Sequence, residues 1–446
     1  MKRDNPLYVV LGLGKTGWSC VNYLRQQGHS VAVLDSRESP PFLSECRRQF
    51  PEIRLEVGGL DRPLLTEASV IVASPGVSLQ HPAIEAARAR GVEIIGDVEL
   101  FARAAKAAII AITGSNGKTT VTTWVGELLQ AAGRTALVCG NIGLPVLEAL
   151  AQPVPDFYVL EISSFQLDTT QSLAAKTAVV LNVSADHMDR YAGYEDYLHS
   201  KQRIYHHCQH PVVPAFQQEI WRPLLNGQKA ISFGLAEGEF HVQEINGARA
   251  LAFRDQPLLA VSAMKLQGEH HLLNALAALA LVHAVGVEVT QVTQVIAQFA
   301  GLPHRCQWVA ERAGVAWIND SKGTNVGASV AALMTVGAET TGKIILIAGG
   351  DAKQADLSPL RAPVQQFVGH LVLIGKDTPL FVNTLQDIVS VTCVDSLPEA
   401  VSCAARIAKQ GDKVLLSPAS ASLDMFQNYE HRGQVFVEAV QGLLHE

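Results

Sequence analysis

Apolar residues along the chain fall into short continuous runs bounded by polar or Gly-rich stretches, with helically spaced segments between them. Such runs read as strands buried on both faces. Their alternation with helices predicts parallel sheets. Three blocks follow this pattern. In the first, a strand over 7–11 meets a Gly-rich turn, then a helix over 18–27 stopped by Gly28. A second strand over 30–34 ends at Asp35, and one over 69–73 runs into Ser74-Pro75-Gly76. The second block opens with a strand over 107–112 and a polar loop. The helix that follows carries Val121, Trp124, Val125, Leu128, Leu129 and Ala132 on one stripe, and Gly133 stops it. Strands over 157–162 and 177–183 each end in polar residues, and the segment 272–285 is apolar nearly all round, so it is expected to be buried. Gly301-Leu302-Pro303 is a natural hinge before the third block, whose strands fall at 315–318, 343–347, 371–374 and 413–416. The expected domains are 1–96, 97–302 and 303–446.

Composition narrows the class. A chain of 446 residues exceeds one ordinary core, and its 48% apolar content is enough to fill several. The net charge of -7 gives no basic footprint for nucleic acid. No apolar run reaches the ~20 residues of a spanning helix, and Met1 opens no export signal. Seven cysteines, none in CxxC spacing, fit a reduced compartment. The expectation is a cytoplasmic protein without nucleic-acid or membrane partners.

The sharpest chemical signal is Thr113-Gly114-Ser115-Asn116-Gly117-Lys118-Thr119-Thr120, set between a strand and an amphipathic helix. Backbone N–H groups at a helix N-terminus cradle phosphate, and glycines let the chain approach it. Lys118 would reach the β- and γ-phosphates and the Thr119 hydroxyl would hold Mg²⁺. Ile112 stands where a standard loop of this type carries its first Gly. Glu161 ends an apolar strand, and the residues alone leave it open between a Mg²⁺ ligand and a solvated acid. Gly12-Leu13-Gly14-Lys15-Thr16-Gly17, with Asp35 downstream, matches a dinucleotide fingerprint, yet such a turn suits any diphosphate. His206-His207-Cys208 with His210 reads as a polar segment, because adjacent histidines point to different sides of a helix.

In combination these motifs resemble the Mur ligases over the whole length, and most closely the member that adds D-glutamate. The resemblance rests on the 113–120 loop, Gly140-Asn141-Ile142-Gly143, Glu161-Ile162-Ser163-Ser164 and Asn182-Val183-Ser184-Ala185-Asp186-His187. It rests also on Gly301-Leu302-Pro303-His304-Arg305, Asn319-Asp320-Ser321-Lys322, Gly349-Gly350-Asp351-Ala352-Lys353 and the tail from Leu416 to Asp424. It implies a three-domain α/β fold: a Rossmann-like N-terminal domain, a central P-loop ATPase-type parallel-sheet domain and a Rossmann-like C-terminal domain. It implies a monomer that joins D-glutamate to UDP-N-acetylmuramoyl-L-alanine through an acyl phosphate, with ATP and two Mg²⁺ ions. Thr16, Asp35, Ser36, Arg37, Gly76, Asn141 and His187 would contact the UDP substrate. ATP would meet Gly114, Ser115, Asn116, Gly117, Lys118, Thr119, Thr120, Asn274, Arg305 and Asp320. D-Glutamate would meet Thr324, Lys353, Ser422 and Tyr429. Metal would be served by Thr119, Glu161, His187 and a carbamylated Lys201, and Lys118, Glu161, His187 and Lys201 would be catalytic. Lys15, Ser420-Ala421 and Tyr429 depart from the family pattern.

The alternatives are a sister ligase adding another amino acid and, in a different class, an NAD-dependent oxidoreductase built on the first Gly-rich turn. The oxidoreductase leaves the 113–120 loop, Glu161 and the third block unexplained.

Overall fold

The structure, a computed structural model, describes residues 6–225, 227–266, 268–338 and 340–445. Met1, where no export signal is expected, lies outside them. The protein is α/β with three domains, each built on its own sheet. By internal packing the chain divides into two compact units. Residues 1–183, 198–259 and 274–295 form the first, and 184–197, 260–273 and 296–446 form the second.

Within the first unit, a five-stranded parallel sheet has the order Arg54–Val57, Ser30–Asp35, Leu7–Leu11, Val70–Ala73, Glu93–Ile95. Leu7–Leu11 pairs on both sides, with Leu7 opposite Ser30 and Tyr8 opposite Val70. The strand order reverses there, so its carboxyl end opens the crevice where such sheets take ligands. The helix that follows, Lys15–Gln26, starts three residues earlier than expected: Gly14 is its N-cap, and the Trp18 amide already donates to the Gly14 carbonyl at 2.9 Å.

The nine-stranded sheet of the same unit centres on Ala108–Thr113, between Phe157–Glu161 and Thr177–Val180. Ile109 to Ile112 are buried, and each of the three isoleucine side chains is worth about 1.5–3 kcal/mol on leaving water. The register sets Ile112 against Glu161 and Thr113 against Val180, so three loops leave the same edge of the sheet. Beyond His210–Pro214, an extension over Ile231–Phe233, Phe240–Ile245, Ala248–Phe253 and Gln256–Ala260 was not anticipated; Phe240–Ile245 and Ala248–Phe253 pair antiparallel.

The second unit holds a six-stranded sheet in the order Gln307–Arg312, Val315–Asn319, Lys413–Leu416, Ile344–Ala348, Val368–Leu373, Ser390–Cys393. Only its first pair is antiparallel. Apolar clusters cover both faces, one around Leu333, Leu346 and Phe381, the other around Trp317, Leu416 and Phe436. In the first unit, the stretch Asn274 to Val282 of helix Glu269–Ala284 is buried continuously, as its all-round apolar sequence predicts. Among the described residues, no helix is long and apolar enough to cross a membrane.

Candidate functional site

The loop after Ala108–Thr113 is shaped by two glycines in conformations other residues rarely adopt. Gly114 has φ 154° and a Cβ there would sit 3.0 Å from that of Leu181. Gly117 has φ 84°, and a Cβ there would come within 2.3 Å of Asn274 Oδ1, so Asn274 packs directly against the loop. Gly117 is the N-cap of helix Lys118–Ala131 and supplies no side-chain cap. A helix N-terminus that follows a Gly-rich loop is a favourable place for an anion. Asn182 holds the loop from the neighbouring strand end. Its carbonyl accepts from the Ser115 amide (2.9 Å), its Oδ1 from the Asn116 amide (2.9 Å), and its Nδ2 donates to the Asn116 carbonyl (3.1 Å). Asn182 belongs to the 182–187 motif, but nothing in its spacing points to this role.

Lys118 folds back over this loop and donates to the carbonyls of Gly114 (2.7 Å) and Ser115 (2.9 Å). Lys201, on helix Tyr194–Gln202 and only 1% exposed, donates to the same Gly114 carbonyl at 3.0 Å. Two lysine side chains therefore converge on one oxygen. On the strand paired with Ala108–Thr113, where Glu161 lies opposite Ile112, the Glu161 carboxylate is 1% exposed. Asn141 Nδ2 donates to its Oε1 at 2.9 Å, while its Oε2 has no hydrogen-bond partner among the described residues. A buried carboxylate oxygen without a donor is costly unless a cation meets it, and a hard cation is what such an oxygen fits. Thr119 lies in the first turn of the same helix as Lys118.

In the five-stranded sheet, Asp35 fixes the Gly-rich turn. Its carboxylate accepts from the Leu13 amide (2.6 Å) and from Arg37 Nε (2.9 Å) and Nη2 (2.6 Å). Burial alone would raise the Asp35 carboxyl, but these donors hold it below the usual carboxylate range. A Cβ on Gly17 would collide with the Gly12 carbonyl at 1.7 Å, whereas one on Gly14 would meet nothing within 4 Å. Open ground therefore lies in front of the helix start, where Thr16 sits. Ser36, Arg37 and Gly76 are all exposed.

In the second unit, Asp186 is the centre of a cluster that sequence reasoning missed as a site. It pairs with Lys353 Nζ at 3.1 Å and accepts from Asn325 Nδ2 at 3.1 Å and from the His187 amide at 2.8 Å. Burial opposes its charge, yet Lys353 and His187 hold the carboxyl below its ordinary range. Lys353 is thus engaged by a carboxylate of the chain. His187 adopts φ 59°, a conformation uncommon outside glycine that tends to mark functional loops. Asp320 accepts from Ser417 Oγ (2.7 Å) and the Cys306 amide (3.2 Å) next to Arg305, and burial pushes its carboxyl up to about 6. The loops carrying Lys353 and Ser422 are stitched together by mutual bonds between Asp351 and Ala421 (3.2 and 2.8 Å). Ser321 Oγ donates to the Tyr429 carbonyl (2.8 Å), and Lys322 Nζ lies 3.8 Å from the Tyr429 ring centroid. Arg432, 1% exposed, ties these segments by donating to the carbonyls of Ser321 (2.9 Å) and Ser420 (3.2 Å). Thr324 is half-buried beside this group and Ser422 is buried within it. Nothing in the sequence around Arg432 signals that role.

Comparison with known proteins follows the same division. Residues 7–96 match the model of the Mur ligase MurD-like N-terminal domain, 112–282 the Mur ligase middle domain, and 304–420 the Mur ligase glutamate ligase domain. A UDP-N-acetylmuramoylalanine–D-glutamate ligase of Coxiella burnetii (strain Dugway 5J108-111) is 51% identical over 99% of this chain and 100% of its own. One from Pseudomonas savastanoi pv. phaseolicola is 49% identical over 98% of each chain. Among solved structures, a UDP-N-acetylmuramate–alanine ligase of Thermotoga maritima aligns with TM-score 0.63 at 18% identity, over 98% of this chain and 100% of that one. A MurF ligase from the same organism, in complex with ADP, aligns with TM-score 0.62 at 16% identity, over 99% and 96%.

Proposed function

The chain belongs to the Mur ligase family, and on that premise we propose that it joins D-glutamate to UDP-N-acetylmuramoyl-L-alanine, driven by ATP, in peptidoglycan precursor synthesis. The observation that carries this reading is the meeting of Lys118 and Lys201 on the Gly114 carbonyl of a phosphate-type loop, with the half-satisfied Glu161 opposite Ile112 on the paired strand.

A carboxylate is a poor electrophile, so the γ-phosphoryl group of ATP must first move to it. The substrate oxygen bonds to phosphorus, ADP leaves, and the amine of D-glutamate attacks the resulting acyl phosphate. Phosphate departs from the tetrahedral intermediate. Two anions meet in the first step, and bound Mg²⁺ supplies the charge neutralisation that lets them approach. Glu161 and Thr119 are proposed to hold one ion and His187 a second. Lys118 follows the β- and γ-phosphates, and helix Lys118–Ala131 presents its N–H groups to them. Asn274, Arg305 and Asp320 are assigned to the rest of ATP. Thr16, Asp35, Ser36, Arg37 and Gly76 are assigned to the uridine diphosphate, Asn141 and His187 to the muramoyl side, and Lys353, Thr324, Ser422 and Tyr429 to D-glutamate. The domain limits 1–96, 97–302 and 303–446 are kept as functional divisions.

Lys201 is proposed to carry a carbamate. A buried ammonium beside a metal site and a second lysine is opposed by both desolvation and like charge. The neutral amine adds to CO₂, a proton goes to solvent, and the new oxygens suit a hard cation. A monomeric, cytoplasmic enzyme completes the proposal. Phosphate release from ATP and the UDP-muramoyl-alanine substrate, measured across a panel of D- and L-amino acids, tests it. Release confined to D-glutamate is expected, and release with another amino acid only would move the chain to a sister activity.

A further inference from the structure

A lysine at the first position of an anion-binding helix is electrostatically out of place. The helix macrodipole is positive there and disfavours a cation by about 0.3–1 kcal/mol. Lys15 nonetheless occupies that position in helix Lys15–Gln26, directly after Gly14. Its side chain is exposed yet directed: Nζ donates at 2.8 Å to the carbonyl of Gly143, 128 residues away in the loop after the edge strand Ala136–Gly140 of the nine-stranded sheet. The loop that receives it is itself fastened to Glu161. The Asn141 amide donates to the Glu161 carbonyl at 2.8 Å, and Asn141 Nδ2 to Glu161 Oε1 at 2.9 Å. Gly140 packs so closely that a Cβ there would stand 2.2 Å from the Glu161 carbonyl. One lysine thus links the turn assigned to the diphosphate, through residues 140–143, to the acid assigned to the metal.

We propose that Lys15 is a positioning residue, which clamps the 140–143 loop to the diphosphate turn and so sets the spacing between the two ends of a substrate held by both sheets. The inference rests on the function proposed above. It commits to an indirect role: the bond to the Gly143 carbonyl draws the ammonium toward the 140–143 loop, and the diphosphate is assigned to the backbone N–H groups of the helix. A substrate reaching both sheets senses the clamp, and a ligand that fills only the turn does not.

The test compares Lys15→Met and Lys15→Arg with the wild type in steady-state turnover, in calorimetry with UDP alone, and in hydrogen exchange of the free protein. Lys15→Met is expected to lower kcat/KM for the UDP-muramoyl substrate about five- to tenfold, the range of one solvent-exposed hydrogen bond. UDP affinity should stay within about twofold, since the helix N–H groups that hold the diphosphate are untouched. Exchange at the amides of Gly140 and Asn141 should quicken, and Lys15→Arg should restore most of the turnover. Unchanged kcat/KM and exchange in Lys15→Met would overturn the clamp. Equal loss for UDP and for the full substrate would overturn it too, by making Lys15 a direct diphosphate ligand. A wild type silent toward the UDP-muramoyl substrate would instead refute the function proposed above, and the inference with it.

Discussion

Replacing Glu161 by Gln separates the charge of that side chain from its shape. The amide keeps an oxygen to accept the 2.9 Å bond from Asn141 and fills the same volume, but the negative charge is gone. The wild-type carboxylate is 1% exposed, and its Oε2 has no hydrogen-bond partner among the described residues. A buried charge so poorly compensated destabilises the metal-free protein. Glu161→Gln should therefore leave stability unchanged or raise it by about 1–2 kcal/mol. Activity should move the other way. Removing one preorganised electrostatic contact costs about 100- to 1,000-fold in rate, or about 3–4 kcal/mol. Melts with and without Mg²⁺ and nucleotide expose the cause. At 100 times its dissociation constant a ligand stabilises the wild type by about 2.7 kcal/mol, and the variant should gain less than about 1 kcal/mol from Mg²⁺ at the same concentration. A variant that retained full turnover, or that lost several kcal/mol of stability while keeping the wild-type response to Mg²⁺, would refute the assignment of Glu161 to the metal.

Lys118→Ala should abolish phosphate release with little change in melting, since the side chain is only half-buried and bonds backbone carbonyls of its own loop. Lys201→Ala should lose most activity and regain part of it with added short carboxylates, and intact-protein mass spectrometry under CO₂ should show one added CO₂ on the wild type that the variant lacks; full activity in Lys201→Ala would remove the residue from the mechanism. Asp320 has a folded pKa raised by burial from 3.8 to about 6, so the folded state holds its proton more tightly than the unfolded chain. Its contribution to stability is therefore most favourable at low pH and declines as pH rises from about 4 to about 6, by about 3 kcal/mol at most. Denaturation profiles of Asp320→Asn should lack that decline, and a profile parallel to the wild type would contradict it.

Much of the scaffold was legible because its signals are local. Apolar runs such as Val9-Val10-Leu11 and Ile109 to Ile112 have few ways to fold other than as strands covered on both faces. The 113–120 loop carried its chemistry in its own residues, and Glu161 was placed by the strand that ends at it. What escaped depends on distant pairing. The antiparallel pair Phe240–Ile245 and Ala248–Phe253 is mixed in composition, and only the sheet it joins makes it a strand pair. Asp186 becomes a centre only when Lys353, 167 residues on, folds against it. Arg432 looks like an ordinary charge on a helix until Ser321, 111 residues earlier in the chain, packs onto it. The Lys15 bond to Gly143 likewise spans two sheets and leaves no trace in spacing.

The central claim, activation of a substrate carboxylate through an acyl phosphate, is tested most directly by following an oxygen atom. UDP-N-acetylmuramoyl-L-alanine labelled with heavy oxygen in its terminal carboxylate is turned over with ATP and D-glutamate, and the released phosphate is analysed by mass. If the carboxylate attacks the γ-phosphoryl group and phosphate then leaves as the amide forms, one labelled oxygen must pass to inorganic phosphate in each turnover. The account predicts that transfer, dependent on D-glutamate and absent in Lys118→Ala. Phosphate released without label during amide formation would contradict it.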